Sequence, residues 1–165
     1  MFLEGNNYAF IDSQNVNLSI RDQGWKLDWR RFRIFLYEKY HARKAFLFIG
    51  YIPNQRPLYN YLRHAGYIII FKPTLAFSDG TVKGNVDAEL VLHAMIQYLN
   101  YQKAIVVSGD GDFHCLVEYL IQQNKFGRLV IPNMHKYSAL LRKFIPRAEF
   151  MSRMRSRLEK TKEGH

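Results

Sequence analysis

Aspartates close two of the apolar runs in this sequence. Asp12 ends the run Tyr-Ala-Phe-Ile-Asp, and Asp110 and Asp112 lie in Ser-Gly-Asp-Gly-Asp, directly after Ala-Ile-Val-Val. Short apolar runs without polar alternation are typical of strands that are buried on both faces of a parallel sheet. Because ligands bind beyond the carboxyl ends of the strands in such sheets, we expect these acids to meet at one edge.

A fourth aspartate, Asp87, lies in Lys-Gly-Asn-Val-Asp-Ala-Glu-Leu, where a loop is predicted to turn into a helix. Taken singly, each of these acids could be an ordinary turn or helix-capping residue. Carboxylates held together, however, repel one another unless a cation or a proton neutralises them. Oxygen ligands suit Mg²⁺, which combines a few carboxylates with water and substrate phosphate. The pattern therefore predicts a site for Mg²⁺ or Mn²⁺ at Asp12, Asp87, Asp110 and Asp112.

Strand-length apolar runs alternate with segments of helical periodicity along the whole chain. Strands are predicted over 8–12, 44–51, 67–71, 104–107 and 129–131. Helices are predicted over 27–40, 56–65, 86–98, 113–123, 137–144 and 149–160, and loops over most of 13–25 and 73–84. This alternation predicts an α/β fold with a parallel sheet of about five strands and helices on both faces. We expect one domain over 1–150, followed by a basic helical tail over 151–165.

Several other classes of protein are excluded. No apolar run reaches the length of a membrane span, and the N-terminus lacks the pattern of a secretory signal. The single cysteine, Cys115, excludes a disulfide framework and a multi-cysteine zinc site, and is predicted to be a core residue of its helix. A reducing, cytoplasmic location is expected.

The motifs of three other α/β classes are also missing from the sequence. It contains no glycine-rich motif after the first strand, as a dinucleotide-binding fold needs, no P-loop, and no nucleophile elbow of a serine hydrolase.

The charge of the chain favours a polyanionic partner. Lysines and arginines number 24 against 14 acids, which gives a formal net charge of +10. A basic surface attracts phosphates, whereas a metal at an acidic centre acts on one of them. An acidic centre in a basic protein therefore favours phosphodiester chemistry, although a soluble protein that is merely basic would have the same composition.

Three segments together resemble the NYN domain family, in the LabA-like branch of the PIN-like nuclease superfamily. They are Phe-Ile-Asp-Ser-Gln-Asn ending at Asn15, the segment around Asp87, and Val-Ser-Gly-Asp-Gly-Asp-Phe ending at Phe113. The likeness extends over residues 6–147, and the segments occur in the family's order. It implies a single Rossmann-like, three-layer (PIN-like) domain with an acidic Mg²⁺-binding centre and, in many members, ribonuclease activity.

The resemblance also implies roles for individual residues. The four aspartates match the family's acidic positions, as catalytic residues and metal ligands. Asn15 and Ser108 match neighbouring polar positions that orient an aspartate or a bound water. One departure is His93, near a position that carries a further acid in much of the family. Glu89 is a possible substitute, but it lies two residues from Asp87, so the two side chains face different ways on a helix.

Basic residues at the ends of predicted strands, in the long loop and in the tail are predicted to hold substrate phosphates. These candidates are Lys72, Lys83, Lys136, Arg153, Arg155 and Arg157. The alternative is that they are only solvated surface charges.

The sequence as a whole predicts a metal-dependent endoribonuclease that hydrolyses single-stranded RNA. Two alternatives are a non-catalytic RNA-binding module of the same fold and a phosphatase or nucleotidase that acts on a small phosphate ester. A homo-oligomer and an inhibitory protein partner are both left open, and no membrane partner is expected.

Overall fold

The computed structural model of the chain describes residues 3–76, 82–83 and 86–161. The strands in these ranges are β1 (Asn7–Asp12), β2 (Ala42–Gly50), β3 (Tyr67–Lys72), β4 (Leu75–Ala76), β5 (Val82–Lys83), β6 (Ala104–Val107), β7 (Phe126–Ile131) and β8 (Ala148–Phe150). The α-helices are α1 (Ser13–Arg21), α2 (Trp29–Tyr40), α3 (Arg56–His64), α4 (Asp87–Ile96), α5 (His114–Gln122) and α6 (Arg155–Leu158). Three 3₁₀ helices are Gly111–Phe113, Ala139–Arg147 and Met151–Met154. None of the helices in the described ranges is both long enough and apolar enough to cross a membrane.

The main sheet has the strand order β3-β2-β1-β6-β7-β8, and every neighbouring pair in it is parallel. The short strands β4 and β5 pair separately and antiparallel, within the predicted loop over 73–84. The predicted α/β fold is therefore confirmed, with six strands in the main sheet instead of about five.

Helices pack on both faces of the sheet because successive side chains of its central strands point to opposite faces. From β1, Ala9 and Ile11 join one apolar cluster with residues of α1 and α2. Tyr8 and Phe10 join the other cluster, with residues of α4 and α5. All residues of β1 are buried, which explains why its sequence shows no polar alternation.

The strand β8 was missed, and the helix predicted over 149–160 is only partly present, because β8 occupies its beginning and the rest is divided into a 3₁₀ helix and α6. Glu149, at the centre of β8, pairs with Lys39 of α2 and lies 3.7 Å from the guanidinium of Arg128 in β7. A three-residue strand with a charge at its centre has no apolar run by which it could be recognised. The chain then continues as the 3₁₀ helix Met151–Met154 and as α6.

Two other segments differ from the prediction in type. The segment over 13–25, predicted to be mainly loop, begins with the helix α1, which the side chain of Asp12 caps by accepting from the Asn15 backbone N–H at 3.3 Å. Val16 and Ile20 are buried one turn apart, but the two serines and two asparagines of this helix have low helix propensity and weakened the signal. The predicted helix over 137–144 is the 3₁₀ helix that contains Pro146.

Candidate metal centre

The candidate site lies beyond the carboxyl ends of β1 and β6, the two central strands of the sheet. From β1 the chain builds outward through β2 to β3, and from β6 it builds outward on the other side through β7 to β8. The connections that follow β1 and β6 therefore diverge and leave a crevice between them. In open α/β sheets such a topological switch point is where ligands bind.

Three aspartates meet in this crevice. One carboxylate oxygen from each of Asp12, Asp87 and Asp110 lies within 4.8 Å of the others. The cavity beside them has a volume of about 320 Å³. Its lining residues are Asp12, Gln14, Asn15, Leu18, Val86, Asp87 and Asp110. Residues far apart in the sequence are thus brought together, as predicted for acids at one edge of a parallel sheet.

Asp12 is the most deeply buried of the three, with only 4% of its surface exposed. Its carboxylate accepts hydrogen bonds from the Asn15 backbone N–H and from the Ser108 hydroxyl, at 3.3 and 3.2 Å. Burial nevertheless raises the pKa of Asp12 to about 6, because these two bonds do not fully replace water and Asp110 adds its negative charge. A bound cation would remove this penalty.

Ser108 and Asn15 fix the geometry between the two central strands. The buried Ser108 hydroxyl donates to Asp12 and accepts from the Asp110 backbone N–H at 3.0 Å. The Asn15 side-chain oxygen accepts from the Gly109 backbone N–H at 2.8 Å and so joins α1 to the turn after β6. Both residues contact the acids or their turn without adding negative charge.

The turn that carries Asp110 is packed too closely for a side chain at Gly111. A Cβ atom at Gly111 would lie 2.2 Å from the Ser138 hydroxyl oxygen and 2.8 Å from the Ser138 Cβ. The Asp110 carboxylate accepts from the Asp112 backbone N–H at 2.9 Å and caps the 3₁₀ helix that follows. Glycine at 111 thus lets the turn approach Ser138 while Asp110 keeps its place in the crevice.

Asp87 is the first residue of α4. Partial burial, the charge of Asp110 and a hydrogen bond with the Asp112 carboxyl raise the pKa of Asp87 to about 7. Asp112 itself is exposed and lies outside the set of three convergent oxygens. It is connected to the cluster only through its hydrogen bond with Asp87, so its role as a metal ligand stays a prediction.

This donor set fits a small divalent cation. Three carboxylates at the edge of an open cavity match the oxygen ligands that Mg²⁺ and Mn²⁺ take in proteins, with room for water and a substrate oxygen. The raised pKa values of Asp12 and Asp87 indicate that the cluster is electrostatically incomplete without a positive charge.

Residues of α1 that line the cavity were missed by the sequence prediction. Gln14 and Leu18 lie one helical turn apart, and both line the cavity beside the acids. Had α1 been recognised from its Asp12 cap, their i, i+4 spacing would have placed them on one helix face.

The predicted phosphate-binding residues in and around the strand ends occupy different environments. The Lys72 ammonium lies 3.5 Å from the Glu89 carboxylate, which therefore neutralises a lysine and is not a fourth member of the cluster. Lys136 lies 3.6 Å from Asp22 at the surface. The side chain of Lys83 lies outside the described residues.

The three tail arginines are engaged with the protein itself. Arg155 pairs with Glu159 and Arg157 with Glu38, each at 3.0 Å. Arg153 lies over the ring of Phe150. Their role in substrate binding stays a prediction.

Two further side chains, His93 and Cys115, lie outside the acidic cluster. His93 packs against Phe48, with 5.7 Å between the ring centroids, and is not among the convergent ligands of the described residues. Cys115 was predicted to be a core residue, and this is wrong, since its side chain is exposed at the first turn of α5. The buried side of that helix is formed by Leu116, Val117 and Leu120.

Comparisons with known proteins agree with this geometry. The profile of the NYN domain matches residues 8–145. No curated protein sequence matches the chain. Among solved structures, a protein of unknown function from Vibrio parahaemolyticus RIMD 2210633 has the same fold, with a TM-score of 0.71 and 25% identity over 89% of this chain and 91% of that chain. The match does not separate branches of the family, so the LabA-like assignment stays a prediction. Because the profile covers most of the sequence and all three clustered aspartates, the chain belongs to the NYN domain family and has its PIN-like nuclease fold.

Proposed function

We propose that the chain is a metal-dependent endoribonuclease that cleaves single-stranded RNA. The observation that carries this proposal is the convergence of Asp12, Asp87 and Asp110 at the switch point of a basic protein. Together these residues would hold Mg²⁺ or Mn²⁺, which, when bound, polarises a phosphoryl oxygen and lowers the pKa of a bound water.

The protein's own residues prepare this chemistry. Ser108 and Asn15 hold Asp12 and the turn of Asp110 in a fixed relation, so little reorganisation is needed when a phosphate enters. The exposed Asp112 carboxyl shares a hydrogen bond with Asp87, and it would accept a proton from an attacking water. The surrounding positive charge attracts the substrate strand.

The test is an assay on single-stranded RNA whose two ends are chemically blocked, so that only internal cleavage gives product. We expect cleavage with Mg²⁺ or Mn²⁺, none with chelator, and a loss of at least about 100-fold for Asp110→Asn, which keeps the shape of the side chain. Cleavage by Asp110→Asn at the wild-type rate would refute the proposal, as would cleavage that survives chelation.

A second candidate function, hydrolysis of a mononucleotide, is favoured by a cleft next to the acids. This cleft of about 430 Å³ shares Gln14 and Leu18 with the acidic cavity and is mainly apolar, with Tyr59, Leu62 and Ile52 among its lining residues. A base could occupy it while the phosphate reaches the acids. Metal-dependent release of phosphate from nucleoside monophosphates, without cleavage of end-blocked RNA, would favour this candidate over the first.

A further inference from the structure

A third concave site, besides the acidic cavity and the apolar cleft, lies at the far end of α1 from the acids. Its volume is about 390 Å³. It is lined by Asn17, Ile20, Arg21, Lys26, Leu27 and Lys160, which include three cationic residues and no acid. Ile20 and Leu27 are buried and form its floor, whereas the three cationic side chains are exposed. We call Arg21, Lys26 and Lys160 the basic triad.

The basic triad is assembled by backbone contacts between distant segments. Leu27 and Glu159 form an antiparallel bridge, and the Lys160 backbone N–H donates to the Lys26 carbonyl at 2.8 Å. The Asp28 backbone N–H donates to the Leu158 carbonyl at 2.8 Å on the other side of the bridge. The C-terminal segment is thereby fixed beside the end of α1, so that Lys26 and Lys160 face the same pocket as Arg21.

The acids nearest to the triad in sequence are engaged elsewhere. Asp22 pairs with Lys136, Asp28 lies 3.7 Å from Arg31, and Glu159 pairs with Arg155. Within the described ranges, no member of the triad forms an ion pair. Three cations that surround one cavity without a counter-ion favour the binding of an anion.

One exposed stripe of α1 connects the acidic cavity with the basic triad. Gln14 and Leu18 line the acidic cavity, Asn17 lines the basic pocket, and Arg21 belongs to the triad. All four are exposed and follow the spacing i, i+3, i+4, i+7 of one helix face. At a rise of about 1.5 Å per residue, Gln14 and Arg21 are separated by about 10 Å along the helix axis.

We infer that the basic triad binds a backbone phosphate of the RNA strand other than the phosphate that is cleaved, with the strand running along α1 between the two sites. This inference rests on the proposed function, because it takes the acids as the cleavage site. None of the triad's three residues is among the phosphate-binding residues predicted from the sequence, which are Lys72, Lys83, Lys136, Arg153, Arg155 and Arg157.

The experiment measures binding in the presence of chelator, so that it does not depend on hydrolysis. Fluorescence anisotropy gives the affinity of the full chain for a labelled single-stranded RNA of about 12 nucleotides, at several salt concentrations. The triad variant is Arg21→Gln with Lys26→Gln and Lys160→Gln. The control variant, Arg43→Gln with Lys44→Gln and Lys103→Gln, loses the same charge at the beginnings of β2 and β6, the opposite edge of the sheet.

We expect the triad variant to bind at least about tenfold more weakly, and the magnitude of the slope of log K against log salt to fall by about 0.7, the value for one phosphate that is no longer neutralised on a single strand. The control variant should change both values much less. Equal losses in the two variants would show that only net charge matters and would overturn the inference, as would unchanged binding by the triad variant.

Two further measurements keep the result interpretable. Lys160→Gln alone replaces only an exposed side chain and leaves its backbone bond to Lys26 in place, so we expect it to fold normally and to weaken binding in the same direction. Cleavage of end-blocked RNA is assayed separately. Selective binding without cleavage would leave the triad supported and reject the nuclease, whereas cleavage with equal losses in both variants would reject the triad alone.

Discussion

The hydroxyl of Ser108 donates to the carboxylate of Asp12 at 3.2 Å, across the junction between the two central strands of the sheet. The same hydroxyl accepts from the backbone N–H of Asp110. A single buried side chain thereby sets the position of two of the three clustered aspartates.

The first prediction concerns Ser108→Ala, which removes a donor to Asp12 and leaves the Asp110 N–H without its acceptor. We expect the free energy of unfolding to fall by about 1 to 3 kcal/mol, the usual cost of leaving buried polar groups unsatisfied, and Mn²⁺ to bind more weakly. Urea denaturation and Mn²⁺ titration measure the two effects. The exposed serine of α6, Ser156, provides the control, and Ser156→Ala should change neither. Equal effects of the two variants would contradict a positioning role for Ser108.

The second prediction concerns the charge of the cluster itself. Asp110→Asn removes one of three mutually repelling carboxylates, yet its side-chain oxygen can still accept from the Asp112 N–H. In chelator we expect the variant to be more stable than the wild type by about 1 kcal/mol, or about 2 to 4 °C in melting temperature. It should also lose the rise in melting temperature that Mg²⁺ or Mn²⁺ gives the wild type.

Calorimetry with and without metal measures both parts of this second prediction. A variant that is less stable in chelator, yet still gains stability from metal, would mean that Asp110 is structural. The same variant is used in the cleavage assay, so one purified protein tests both stability and activity.

The third prediction concerns pH. Burial raises the pKa of Asp12 to about 6 and that of Asp87 to about 7, so between the ordinary value of 3.8 and these values the folded chain binds more protons than the unfolded chain. These two groups therefore lower the stability of the metal-free protein as pH rises from about 4 to about 7. Metal competes with the same protons, so its stabilising effect should grow over this range.

The measurement is the difference in melting temperature between saturating Mg²⁺ and chelator, taken from about pH 5 to about pH 8. We expect this difference to increase with pH and to level off above about pH 7 in the wild type. It should be near zero throughout in Asp110→Asn. A difference that decreases with rising pH would contradict the assignment of the acids as metal ligands.

The sequence predicts the parts of this site that depend on local pattern. Asp12 and Asp110 each come at the end of a buried apolar run. That they meet at one edge therefore follows from the topology of a parallel sheet alone. The basic triad could not be predicted in this way. Lys160 reaches Lys26 only through an antiparallel bridge between segments that carry no strand pattern, and no local periodicity records such a contact.

The burial of individual side chains could not always be predicted from the sequence either. Cys115 lies in the first turn of a helix, two residues after the buried Phe113, but its side chain is exposed, whereas the next two residues, Leu116 and Val117, are buried. The strand β8 was missed because it has only three residues, and the charged Glu149 at its centre forms ion pairs with Lys39 and Arg128, which belong to earlier elements of the chain. Pairing between distant charges leaves no signal in the composition of either segment.

The fourth prediction is that the ion pairs of Glu149 stabilise the fold and the pairing of β8. Its carboxylate lies between Lys39 and Arg128, and the three side chains are 23%, 21% and 13% exposed, so water screens their attraction only in part. Glu149→Gln leaves two partly buried cations without their counter-charge, and we expect the free energy of unfolding to fall by about 1 to 3 kcal/mol.

The matched control is Glu118→Gln, which breaks the exposed pair with Lys143 and should cost less than about 1 kcal/mol. Urea denaturation measures both variants. Because β8 covers the edge of β7, Glu149→Gln should also increase amide exchange along β7, and equal stability losses in the two variants would mean that β8 is held by its backbone pairing alone.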